Sequence, residues 1–158
     1  MTVRSIARLL LCLVICVGIG IVGSFFTKPE IPTWYAGLAK PSWTPPPLVF
    51  PIVWTTLYVL MAIAFWRLWD RVTPSDARRS AMSLFAIQLA LNAIWAPVFF
   101  GWHGVRSGLA IIVLMAVFIA ATIASAVKCD RLVAALLVPY LCWVLYASSI
   151  NAGVVALN

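Results

Sequence analysis

Residues 107–127 read SGLAIIVLMAVFIAATIASAV, with neither a charge nor a proline. A helix rises about 1.5 Å per residue, so about 20 apolar residues cross the roughly 30 Å of hydrocarbon in a bilayer. This stretch meets that length. Four others do too, at roughly 6–26, 48–68, 80–100 and 132–157. Their only charges are Arg8 and Arg67, close to span ends where a long side chain snorkels to the interface. The chain is 65% hydrophobic and 9% charged, whereas a soluble domain carries about 25% charged residues. Lipid leaves only helices or closed barrels, because every backbone N–H and C=O must be paired. Barrel strands alternate polar and apolar residues, and these runs do not. The sequence predicts an all-α membrane protein: a five-transmembrane-helix bundle, one domain over residues 1–158, with a long first loop that is either a linker or a lid.

The basic residues predict its orientation. With five spans, the N-terminus, second loop and fourth loop share one side, which holds Arg4, Arg8, Arg67, Arg71, Arg78, Arg79, Lys128 and Arg131. The other side holds only Lys28, Lys40 and Arg106. Cytoplasmic loops are the ones enriched in Lys and Arg, so the N-terminus is expected inside, and the first loop and C-terminus outside. The net charge of +7 is spread over loops and calls for no nucleic-acid partner. The first apolar run is too long for a usual signal-peptide core and is expected to stay as a span.

Acid–base chemistry and ion transport normally leave an ionisable residue within the membrane. Here Glu30, Asp70, Asp76, Asp130 and the single histidine, His103, all fall in predicted loops. No paired carboxylates, metal-ligand spacing or phosphate loop is available. The cysteines Cys12, Cys16, Cys129 and Cys142 read as small buried hydrophobes, not metal ligands.

The spans instead carry aromatic stripes at helical spacing. Trp54, Tyr58, Met61 and Phe65 share one face, Gln88, Asn92, Trp95 and Phe99 another, and Tyr140, Trp143, Ala147 and Ile150 a third. Core packing explains any one stripe by itself, and Trp66, Trp69 and Trp102 near span ends read as interfacial anchors, Trp66 facing lipid. Trp95 and Trp143 lie deeper. A buried amide such as Gln88 or Asn92 needs a partner, across helices or on a ligand. Pro51, Pro97 and Pro139 each remove a backbone donor and can kink a span. Aromatic walls with a few polar groups are the usual make-up of a small-molecule site. Small residues, Ala86 and Ala90 on the third span and Gly18, Gly20 and Ser24 on the first, offer close-approach faces for a homodimer.

Four stretches are similar to known sequences: WYAGLAKPSWTPP at 34–46, FP with VWTTLY at 50–58, QLALNAIWAPVFFG at 88–101 and PYLCWVLYASSIN at 139–151. In this order and spacing they resemble the TspO/MBR family, the translocator proteins once called peripheral-type benzodiazepine receptors. The resemblance implies a five-helix membrane bundle, commonly a homodimer, that binds porphyrins such as protoporphyrin IX and haem as ligands without a required cofactor or metal. Family pockets imply a ligand site at Trp34, Trp54, Tyr58, Asn92, Trp95, Trp143, Ala147 and Ile150, with the first loop as its lid. Animal members carry a sterol-recognition pattern after the last span; Ala152 and Ala156 stand at the matching positions, which lowers the case for sterol binding. The positive-inside pattern without a transit peptide suits a bacterial member. The expected role is a membrane protein for tetrapyrroles or similar lipophilic molecules that handles or regulates them. It extends to light-dependent breakdown, with Trp95 and Trp143 as the catalytic candidates. The alternatives are a transporter or exporter of such ligands, and a ligand-responsive sensor.

Overall fold

The computed structural model describes residues 2–158. Its helices are α1 (Val3–Glu30), α2 (Trp34–Gly37), α3 (Val49–Asp70), α4 (Asp76–Ala96), α5 (Val105–Val127) and α6 (Arg131–Leu157). A π-helical turn, Pro97–Gly101, continues α4. All but α2 are long and apolar enough to cross a membrane, and the protein is an integral, multi-pass five-helix bundle. The helices close a ring in the order α1–α3–α6–α5–α4, with α4 returning to α1. Met61, Phe85, Ile112, Met115, Leu137 and Tyr140 fill its interior. Val14, Ile52, Ile94, Val117 and Leu145 stay exposed on the outside, where lipid replaces water as their solvent.

Several helix ends depart from the expected spans. α1 runs through Lys28 and Pro29 to Glu30 instead of stopping near residue 26. Proline keeps helical φ, and its missing N–H leaves only the Phe25 carbonyl without its helical donor in this last turn. Pro51 falls in the first turn of α3, where backbone N–H groups lack helical partners anyway, so it starts the helix and need not kink it. Pro97 has a larger effect. The hydrogen bonding widens there, and the Trp102 amide donates to the Pro97 carbonyl at 3.0 Å, the wide step of a π-turn. Glu30, Asp70 and Asp76 are helix-terminal residues, not loop residues.

Ion pairs close the basic end. Arg67 donates to Asp130 at 2.6 and 3.1 Å, tying α3 to α6. Arg8 and the Ser5 hydroxyl donate to Asp70 at 2.9 and 2.6 Å, tying α1 to α3. Arg78 of α4 donates to the Leu68 and Trp69 carbonyls at the end of α3. Trp66 is half-buried here; its indole N–H donates to the Ser5 carbonyl at 3.1 Å and Arg71 lies over its ring. The expectation that Trp66 faces lipid is therefore corrected: the polar latch at this end draws the indole inward. Cys12 and Cys16 are buried as expected, but Cys142 is exposed and Cys129 only partly covered, because apolar outer faces are allowed in lipid.

Asp130 also caps α6, accepting from the Leu132 and Val133 amides. Burial disfavours its carboxylate, yet the bonds from Arg67 and those two amides hold its pKa below the ordinary value. A lowered folded pKa gives stability that is complete above the unfolded pKa, about 3.9, and is lost as pH falls through the folded value. Thermal melts of the solubilised protein are therefore expected to drop below about pH 4. Asp130→Asn keeps a capping oxygen but loses the charge, and should lower stability near neutral pH by about 1 kcal/mol and flatten this acid loss. An unchanged melt at pH 7 would show that the pair contributes nothing.

Candidate functional site

The interior holds one continuous polar chain. The Tyr58 hydroxyl donates to Asn92 Oδ1 at 2.8 Å, Asn92 Nδ2 donates to the Tyr140 hydroxyl at 2.9 Å, and that hydroxyl donates to Met115 Sδ at 3.3 Å. The chain links α3, α4, α6 and α5 across the ring. A wrong partner here would leave a polar group stranded in an apolar medium, so the chain fixes how the four helices face one another. Gly20 of α1 packs directly on the Tyr58 ring, with no room for a Cβ. That contact corrects the reading of Gly20 as an open dimer surface: its missing side chain is used inside the chain. Gly18, by contrast, has nothing near it, and Ala86 and Ala90 are exposed on the outer face of α4.

Aromatic rings extend from this chain in three groups. Trp54 stacks on Tyr58 with centroids 5.5 Å apart and meets Tyr140 edge-on. Trp95 stacks on Phe99 at 5.2 Å, and Trp34 meets Phe99 edge-on at 5.6 Å. Trp143 meets Phe50 edge-on at 5.8 Å and leans on Tyr146. Asn92 and Trp95 lie one helical turn apart on α4, and Tyr140 and Trp143 one turn apart on α6. The sequence-predicted residues Trp54, Tyr58 and Asn92 thus touch one another, and Trp34 joins Trp95 through Phe99. Trp143 stands apart from Trp95, with its own aromatic neighbours. Ile150 is buried, and Ala147 packs half-buried against the core.

The first loop closes over one end. Its helical turn α2 presents Trp34, which stacks on His103 at 4.2 Å. His103 sits at φ 53°, in the left-handed region, and its Nε2 lies 3.0 Å from the Glu30 carboxylate. Lys40 Nζ donates to the Tyr35 and Leu38 carbonyls, capping α2, and lies over the Tyr35 ring. The loop then runs along α6. Asn158 exchanges two hydrogen bonds with the Ala39 backbone, at 3.0 and 3.1 Å. Pro41 packs on Gly153, where a Cβ would stand 2.7 Å from its ring. The Tyr146 hydroxyl donates to the Trp43 carbonyl at 2.6 Å. Periodicity found the stripes, and the family resemblance implied Trp34; neither showed this clasp.

Not every interior polar group is paired. The Gln88 amide and the indole N–H groups of Trp95 and Trp143 are buried without a partner, as is Asn151 Oδ1. Such groups cost about 1–3 kcal/mol each when left unmade. Between α3 and α6 an open groove of about 510 Å³ reaches Trp143, lined among others by Ile52, Leu60, Cys142 and Tyr146. No group of three or more metal-ligating side chains exists among the described residues. The arrangement is suited to holding a flat apolar molecule with hydrogen-bond acceptors. Its imidazole–carboxylate pair, His103 and Glu30, lies at the first loop beside Trp34.

Comparison with known proteins decides the lineage. The TspO/MBR family matches residues 12–157. The chain belongs to the TspO/MBR family. It is 39% identical to the tryptophan-rich protein TspO of Chlorobaculum tepidum over 98% of each chain. It is 35% identical to protein CrtK of Rhodobacter capsulatus, over 92% of this chain and 89% of that one. It is 37% identical to the translocator protein of Homo sapiens, over 82% of this chain and 78% of that one. The resemblance read from the four stretches is borne out. Within this TspO/MBR bundle, Gly20→Ala should push the Tyr58 ring aside and weaken its bond to Asn92. Overpacking of this kind costs about 1–3 kcal/mol. Tyr58→Leu in the same background should recover part of the loss in thermal melts; no recovery would place the clash elsewhere.

Proposed function

We propose that this TspO/MBR protein binds a tetrapyrrole, such as protoporphyrin IX or haem, among the aromatic residues of α3, α4 and α6 and handles or regulates it within the membrane. One observation carries the reading: the buried indole donors of Trp95 and Trp143 have no acceptor, yet they sit among aromatic rings, Trp95 stacked on Phe99 and Trp143 edge-on to Phe50. A porphyrin supplies both a flat face and carboxylate acceptors. Photo-excited porphyrin and oxygen would supply the reactivity for light-dependent breakdown, with the indoles as redox partners. Protoporphyrin IX titrated in the dark and read by tryptophan quenching tests binding. Trp143→Phe keeps a ring but loses the N–H, and should weaken binding roughly threefold to tenfold, about 1 kcal/mol. Under light it should slow breakdown more than it weakens binding, since indole is the more easily oxidised ring. Trp102→Phe is the control, because Trp102 is 79% exposed. Equal effects at both positions would reject the site.

A sensor or transporter is the second reading, favoured by the clasp that joins the first loop to α6. Uptake of porphyrin into sealed vesicles separates transport from binding alone. In either reading the basic end is cytoplasmic and the first loop outside. The protein also forms a homodimer through the exposed α4 face. Ala86→Leu/Ala90→Leu should raise the monomer fraction by cross-linking in membranes, and an unchanged dimer would reject that face.

A further inference from the structure

Three elements meet at one residue between the π-turn and α5. His103 sits at φ 53°, a left-handed conformation that a residue other than glycine keeps only where its surroundings hold it. Two contacts do so. Its ring stacks on Trp34 of α2, with centroids 4.2 Å apart and planes 11° from parallel. Its Nε2 lies 3.0 Å from a carboxylate oxygen of Glu30, the last residue of α1. Trp34 in turn meets Phe99 and Phe100 of the π-turn edge-on, at 5.6 and 6.3 Å. α2 is a single turn with no buried residue, so packing alone does not hold it. His103 seats Trp34, and with it the start of the first loop, against the bundle.

Histidine is the side chain that ordinarily changes charge between pH 5 and 8, and the chain has one. Carboxylates, lysines and arginines ordinarily keep their charge across that range. A carboxylate only accepts hydrogen bonds, so Nε2–H donates to Glu30 and Nδ1 is the nitrogen that takes up a proton. Neutral, the ring gives Glu30 one hydrogen bond and Trp34 a flat face. Protonated, the same geometry becomes an ion pair and a cation over an indole, both stronger. Trp34 also keeps water from one side of that pair, which strengthens it further. Protonation and closing of the loop therefore favour each other. The remaining charges nearby do not reverse the sign. Lys28 of α1 and Arg106 of α5 are exposed and oppose an imidazolium only through water. Lys40 is held by the Tyr35 and Leu38 carbonyls, the π-turn has no charge, and α6 has none after Arg131. We propose that His103 is a proton-operated latch: a proton taken from the medium on the loop's side holds Trp34 down over Phe99, and its loss releases the first loop. The latch stands apart from the tetrapyrrole reading, because it concerns the loop and not what lies beneath it.

The test follows the loop directly, in lipid nanodiscs without porphyrin. Spin labels are placed at Ala36→Cys and Ser107→Cys, both exposed positions, with Cys129→Ser and Cys142→Ser; Cys12 and Cys16 are 0% exposed and stay unlabelled. Distances are measured by pulsed electron resonance at about pH 7.5 and about pH 5.5. Ion pairs and cation–ring contacts at a half-exposed site are each modest, so the ratio of short to long distances should rise about threefold to tenfold on acidification. His103→Asn is the decisive variant. Asparagine tolerates the left-handed conformation and can donate to Glu30, but it takes up no proton, so the distribution should no longer respond to pH. Glu30→Gln keeps an accepting oxygen without the charge and should shrink the response. The same distribution at both pH values in the parent protein would overturn the proposal. So would a full response in His103→Asn, which would place the switch elsewhere. Neither outcome depends on whether the protein binds a porphyrin.

Discussion

Lipid offers no hydrogen bonds, and the interior of this bundle is organised by that fact. A polar group within the ring must find its partner on another helix or on a guest. Tyr58, Asn92, Tyr140 and Met115 solve the problem among themselves, and in doing so hold α3, α4, α5 and α6 in register. Gly20 lets α1 approach closely enough to pack on Tyr58. Gln88, Trp95 and Trp143 leave the problem unsolved. Paired groups account for the architecture, and unpaired ones for the proposal of a ligand.

α6 connects the parts. It carries Tyr140 in the polar chain, Trp143 at the groove, and Tyr146, Gly153 and Asn158 beneath the first loop. Pro139 interrupts its hydrogen bonding just before Tyr140. The interior, the lipid-facing groove and the loop thus all rest on one helix. Fold and proposed site are in this sense one object.

Much of this was legible in the sequence, for physical reasons. An uncharged run such as 107–127 has no stable place except hydrocarbon, so the five spans could be read from composition and length. The stripes containing Asn92 and Tyr140 were legible because inward positions recur with helical period. The lipid-facing assignment of Trp66 failed because apolar residues lie on both inner and outer faces here, and hydrophobicity alone does not separate them. The end of the first span was placed short because Pro29 stays helical, and the π-turn at Pro97 left no mark in composition, since the run stays apolar through it. The clasp was illegible because Pro41 and Gly153, or Ala39 and Asn158, meet only once the whole ring has closed.

The central claim is that the unpaired indole donors await an acceptor on the ligand. The most direct measurement is the ¹⁵N–¹H spectrum of the tryptophan indoles, recorded in the dark with and without a diamagnetic porphyrin carrying carboxylates. On binding, the N–H resonances of Trp95 and Trp143 should move downfield, as expected for new hydrogen bonds, while those of Trp66, already bonded to the Ser5 carbonyl, and of exposed Trp102 stay in place. Saturated binding with the Trp95 and Trp143 indole protons unmoved would contradict the account.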